Sequence, residues 1–202
     1  MRKFVRRLVD KVLMGVAAVA AKLPDNDYFS AYTITNGRTK YMTRVKFPRV
    51  FGKRIMLHKI WRADSDKEMH NHPWDKAFSL VLLGSYREER LDLTSEMIYR
   101  AFHQIHLDNM KKAGLDGPAL STSAVIAMPE VPRSEHHVKW FNNLYKEDFH
   151  KITFIEEPLW TIFIAGKREV DKDGVDWGFL NEETRELIPW KKYIAKSGNK
   201  KE

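Results

Sequence analysis

The sequence predicts a mainly β domain with one amphipathic helix in front of it and one helical insertion inside it. Short runs rich in β-branched and aromatic residues recur between Gly, Pro and Asn-Gly breaks, the clearest being Leu159-Trp160-Thr161-Ile162-Phe163-Ile164-Ala165-Gly166. Helical spacing extends over any length only near residues 1–23 and 95–112. With 202 residues, 43% hydrophobic and 12% aromatic, the chain can fill one core and is most simply one domain.

At the N-terminus Phe4, Val5, Leu8, Val9, Val12, Leu13 and Val16 fall at helical spacing, with Arg2, Lys3, Arg6, Arg7, Asp10 and Lys11 on the other side. Three readings compete: a helix packed on the domain, an interfacial membrane helix, and a signal peptide. Packing is preferred, because Asp10 and Lys11 interrupt the approach to the apolar run 12–20, which is itself too short to span a bilayer. Pro24-Asp25-Asn26-Asp27 ends the element, dividing a basic helix at 1–27 from a β domain at 28–195 and a polar, disordered tail at 196–202.

Strands follow at 28–35, 41–47 and 55–62, the first two joined by an Asn36-Gly37 hairpin turn. The segment 78–86 reads as a short buried strand ending in a turn at Gly84, and Arg87-Glu88-Glu89-Arg90 as its exposed end. Residues 95–112 are the helical insertion, and 122–128 a further strand. Residues 177–194 suggest a last hairpin and a short helix, with Trp190 and Tyr193 packing back.

The chemistry centres on Met69-His70-Asn71-His72-Pro73-Trp74-Asp75. Two histidines two apart on an extended segment project to one side, so His70 and His72 can reach one ion. Asp75, an acceptor-only carboxylate, follows within a turn. A third histidine is sought in the pair His136-His137: alternation groups His136 with Val138 and Trp140 and favours it over His137. His58 shares a face with Ile60 and Arg62 and could line the same site. Arg62 and Arg168 are candidate anchors for an anionic group. The bland alternative is a set of hydrogen-bonded histidines with no metal. With no cysteine, disulfides, thiolate ligands and a Cys nucleophile are excluded, and neither a Walker A sequence nor a Rossmann glycine fingerprint is present.

His-x-His, a carboxylate, a strand, a Gly and a distant His resemble the two motifs of the cupin superfamily. A group of short cupin-like proteins, many from bacteriophage genomes, is similar in more detail, joining His-x-His-Pro-Trp-Asp (70–75) to Ser-Leu-x-Leu-x-Gly-x-Tyr (79–86) and Trp-Gly-Phe (177–179). Asp75 stands where cupins usually carry a later Glu, and Ser134 where they carry Gly. The resemblance implies a double-stranded β-helix, or jelly-roll barrel, with a metal inside on His70, His72, Asp75 and, by the cupin interval counted from Pro132, His137, where alternation prefers His136; such ligands suit a divalent transition metal, Fe, Mn, Ni, Zn or Cu, with Fe favoured. It does not imply a reaction; neutral imidazoles that leave open positions on an octahedral ion point to a mononuclear Fe(II)-type oxygenase or related metalloenzyme acting on a small anionic substrate.

Charge supplies a second reading. Residues 1–62 carry 15 Lys+Arg against 3 Asp+Glu, a net of +12, whereas the rest carries 20 against 24, a net of −4. Such asymmetry fits a non-catalytic module docking on nucleic acid or another acidic partner through its basic N-terminal third. A homodimer and a cytoplasmic, non-membrane-spanning protein complete the expectations.

Overall fold

The computed structural model describes residues 2–24, 29–36, 39–91, 133–170, 174–181 and 187–196. Contacts divide the chain into a unit of Met1–Arg90 with Glu135–Glu202 and a unit of Leu91–Ser134. The expected helix at 95–112 and strand at 122–128 lie outside the described residues, as do 197–202.

The first unit opens with helix α1 (Arg2–Ala20), then strands β1 (Ser30–Asn36), β2 (Thr39–Val50), β3 (Lys53–Ile60) and β4 (Lys76–Leu91). Further along the chain come β5 (Arg133–Val138), β6 (Phe141–Tyr145), β7 (His150–Ala165), a small hairpin of β8 (Gly178–Leu180) and β9 (Leu187–Pro189), and helix α2 (Trp190–Lys196). The large sheet runs β1-β2-β3-β7-β4-β5, with β6 also paired to β4. The β1–β2, β2–β3, β3–β7, β7–β4 and β4–β6 pairs are antiparallel. The protein is thus mainly β around a large antiparallel sheet.

Two strands are longer than periodicity suggests. β4 and β7 pair from Ala77↔Ala165 to Arg90↔His150, with bulges near Leu83 and between Arg87 and Glu88. Gly84 therefore does not end its strand: it takes φ +83 inside it, where a Cβ would come within 2.4 Å of the Glu156 carbonyl oxygen. The bulges also switch which side chains face the interior. Ala77, Ser79 and Val81 are buried before them, and Tyr86 and Glu88 after.

Both faces of the sheet's centre are covered. On one face of β3, Leu57 meets Val45 and Trp160 under α1. On the other, Met56 packs with Phe163, and Ile60 with Met42 and Leu159. The α1 helix docks through Leu13, Met14, Ala17 and Ala20, which recur at helical spacing. Asp10, the residue that interrupts the apolar run, is its polar anchor: Oδ1 accepts from Lys59 Nζ at 2.6 Å and from Trp160 Nε1 at 2.7 Å. Arg6 adds a more exposed pair to Glu156 at 2.7 Å, which contributes little. Asp10→Ala would leave the buried Lys59 ammonium unpaired, so denaturant unfolding is expected to show a loss of about 3 kcal/mol. Among the described residues no helix is long and apolar enough to cross a membrane.

Candidate metal centre

The His70 segment is fixed by backbone bonds on two sides. His70 N–H donates to the His150 carbonyl and His150 N–H to that of His70, at 3.1 and 2.9 Å. On the other side Leu180 N–H donates to Met69 O and Asn71 N–H to Gly178 O, while the Asn71 carboxamide accepts from Gly178 N–H at 2.9 Å. The last hairpin therefore covers the site. Trp177 and Phe179 lie against the His70 ring, and are backed by Trp190 and Tyr193, which stack on them from α2.

With the segment extended, His70 and His72 point the same way and meet His150 from the start of β7. One ring nitrogen from each of the three lies within 4.8 Å of the others, and His72 Nε2 and His150 Nε2 are 2.9 Å apart. Two nitrogens each about 2.1 Å from one ion and at right angles to each other stand roughly 3.0 Å apart, so this spacing suits a shared ion.

Behind His150 stands Glu88, which is fully buried. Its Oε2 lies 3.0 Å from His150 Nδ1, and its Oε1 accepts from Arg90 Nε at 2.6 Å and Asn142 Nδ2 at 2.9 Å. Burial alone would raise the Glu88 carboxyl; the bond to His150 and then the Arg90 charge outweigh it and hold the group at about 2. An ionised carboxylate only accepts, so His150 Nδ1 carries the proton and Nε2 keeps its lone pair for a ligand.

Burial pushes His70 down to about 4, despite nearby Asp64. It also pushes His72 well below the usual histidine range, where a proton on His72 would further be repelled by any on neighbouring His150 or His70. Neutral imidazole is the form that binds metal. Between pH 6.5 and about 4 the unfolded chain holds a proton on His70 that the folded chain does not, so folding stability is lost as the pH drops through that window. For His70 the loss reaches up to about 3 kcal/mol, and His72 acts in the same direction. Metal-free protein is expected to show a falling denaturant midpoint from pH 7 to pH 5; a flat profile would mean the imidazoles are not held neutral.

The cluster opens on a cavity of about 60 Å³ lined by Tyr41, Met42, Arg44, His58, Tyr86 and Phe163 among others. This is room for an ion and a few atoms. His58 stacks on Phe163 with centroids 5.2 Å apart, and its Nε2 accepts from Arg44 Nε at 3.0 Å. Burial, then the Arg44 charge, keeps His58 well below its usual range.

The remaining sequence candidates sit elsewhere. Trp74, not Asp75, continues the side of His70 and His72, packing against His72 and Phe163; Asp75 points away, its Oδ1 accepting from Lys76 N–H and lying close against Gly166. His136 is exposed on β5 at the sheet edge, although Val138 on its side is buried. His137 is also exposed, 3.2 Å from the Ser85 hydroxyl. Arg62 lies near Asp66, and exposed Arg168 pairs with Asp176; neither lines the cavity. The structure therefore gathers His150 with His70 and His72 where alternation favours His136. Sequence reasoning passed over His150, and it placed Glu88 on an exposed strand end; the structure corrects that, since Glu88 is buried. One available signal was that His150 shares its side of the strand with apolar Ile152.

No family model matches the chain, and no curated protein matches it either. Solved structures that are similar in part include a crystal structure of Fe(II)-HppE with the alternative substrate (S)-1-HPP, with a TM-score of 0.40 and 9% identity, covering 71% of this chain and 58% of that one. A second is a crystal structure of FeII HppE, also with a TM-score of 0.40 and 9% identity, covering 72% and 59%. The chain thus matches less than two thirds of the length of either.

Proposed function

We propose that this protein is a cupin-type jelly roll holding one divalent transition metal on His70, His72 and His150, and that it is an enzyme acting on a small anionic substrate. The observation that carries the reading is the convergence of three ring nitrogens within 4.8 Å, one of them oriented by a buried carboxylate. Three neutral nitrogen donors suit Fe(II), Mn(II), Ni(II), Zn(II) or Cu(II); Fe(II) is preferred because three protein ligands leave positions open on an octahedral ion. Bound there, such an ion would act as a Lewis acid and could activate dioxygen.

The chain's own residues supply orientation and exclusion of water. Glu88 fixes the His150 tautomer, while Trp74, Phe163, Trp177 and Phe179 wall the rings from solvent. The anion anchor facing the cavity is Arg44 rather than Arg62 or Arg168. Besides its bond to His58, its guanidinium lies over the Tyr32 ring and reaches the Tyr32 hydroxyl at 3.3 Å and the Met42 sulfur at 3.6 Å. These long contacts leave Nη1 and Nη2 suited to a carboxylate or phosphate oxygen.

Plasma mass spectrometry on untagged wild type and His72→Ala tests the reading. Near-stoichiometric metal in wild type, lost in a folded variant, supports it and identifies the ion. Equal emptiness of both after reconstitution with each candidate ion overturns it.

A further inference from the structure

Helix α1 turns two different faces to its surroundings, and among the described residues only one is packed against the fold. Asp10, Leu13, Ala17 and Ala20 face the sheet. On the opposite side Phe4, Leu8, Val12, Val16 and Val19 follow at steps of four, four, four and three, which form one stripe along a helix. That stripe is bare: Phe4 is 72% exposed, Leu8 52%, Val12 59% and Val19 64%. An isolated exposed apolar side chain needs no explanation, but a continuous row over four turns does.

The charges beside the row say what covers it. Lys3, Arg7 and Lys11, again four apart, run along its flank, and all three are exposed. Asp10 is the sole acid in residues 1–24, and it is turned to the sheet and paired with Lys59. The outward side thus combines an apolar stripe, a basic border and no carboxylate. A protein partner with an apolar groove would match the stripe but gives no reason for a border of a single sign. An anionic lipid surface matches both, because acyl chains accept the apolar row and headgroup phosphates the cations.

We infer that α1 is an interfacial helix that docks this protein on an anionic membrane surface, lying in the plane of the headgroups while its other face stays packed on the sheet. The Asp10 bonds to Lys59 and Trp160 and the Arg6 pair with Glu156 hold the helix in place. Docking therefore needs no unfolding and presents the stripe already formed. No helix among the described residues crosses a bilayer, so the attachment is peripheral and salt-sensitive.

Flotation with vesicles of phosphatidylcholine plus phosphatidylserine, against vesicles of phosphatidylcholine alone, tests this on the full chain. Wild type is expected to float with the anionic vesicles, less so as salt rises, and hardly with the neutral ones. Arg7→Gln and Lys11→Gln are each expected to weaken binding about fivefold, and Leu8→Ser with Val12→Ser about tenfold or more. These positions are exposed, so thermal unfolding should match wild type and certify the fold. Absence of binding to anionic vesicles, or binding that both sets of variants leave unchanged, overturns the inference. So does self-association in light scattering that Leu8→Ser with Val12→Ser abolishes while vesicles are ignored, since a second copy would then be the occupant.

Discussion

Replacing His150 with alanine is expected to abolish high-affinity metal binding, whereas replacing His136 leaves it unchanged. His150 brings its Nε2 to 2.9 Å from that of His72, and its tautomer is set by Glu88 on the far side of the ring. His136 sits exposed on an edge strand. Removing one of three nitrogen donors leaves a two-point site that a chelator should strip readily. Competition titration with a chelating dye on the two variants and wild type checks this. Equal loss in both, or loss in His136→Ala alone, would reject the histidine set assigned here.

Glu88→Ala should be among the most destabilising single changes in the described residues, by roughly 3–5 kcal/mol. The carboxylate is fully buried and serves three donors at once, those of His150, Arg90 and Asn142. Without it the Arg90 guanidinium, 19% exposed at its side chain, loses its nearest counter-charge. Glu88→Gln separates the two roles of the residue. It keeps the shape and one acceptor oxygen but no longer enforces the His150 tautomer, so metal affinity should fall about 10–100-fold with a smaller effect on folding. Denaturant unfolding and metal titration on the pair distinguish them; equal affinity in Glu88→Gln and wild type would mean the carboxylate is purely structural. Its folded-state value of about 2 also means that its contribution is present above pH 4.5 and is lost as pH falls toward 2.

The extended His-x-His segment determines that His70 and His72 share a side, because side chains alternate along any extended chain. The same parity carries the side on to Trp74 and turns Asp75 away. Helical spacing determined α1, and composition determined a mainly β core. Tertiary structure decided the rest. Which distant histidine joins the pair depends on the backbone bridge between His70 and His150, a contact across 80 positions in sequence number that no periodicity encodes. Glu88 in an Arg-Glu-Glu-Arg run resembles a solvated strand end, yet the bulges around Gly84 reset the alternation and turn it inward beside Tyr86. Local pattern fixes which side chains travel together; only the pairing of β4 with β7 fixes where that side faces, because burial is a property of the partners brought across it.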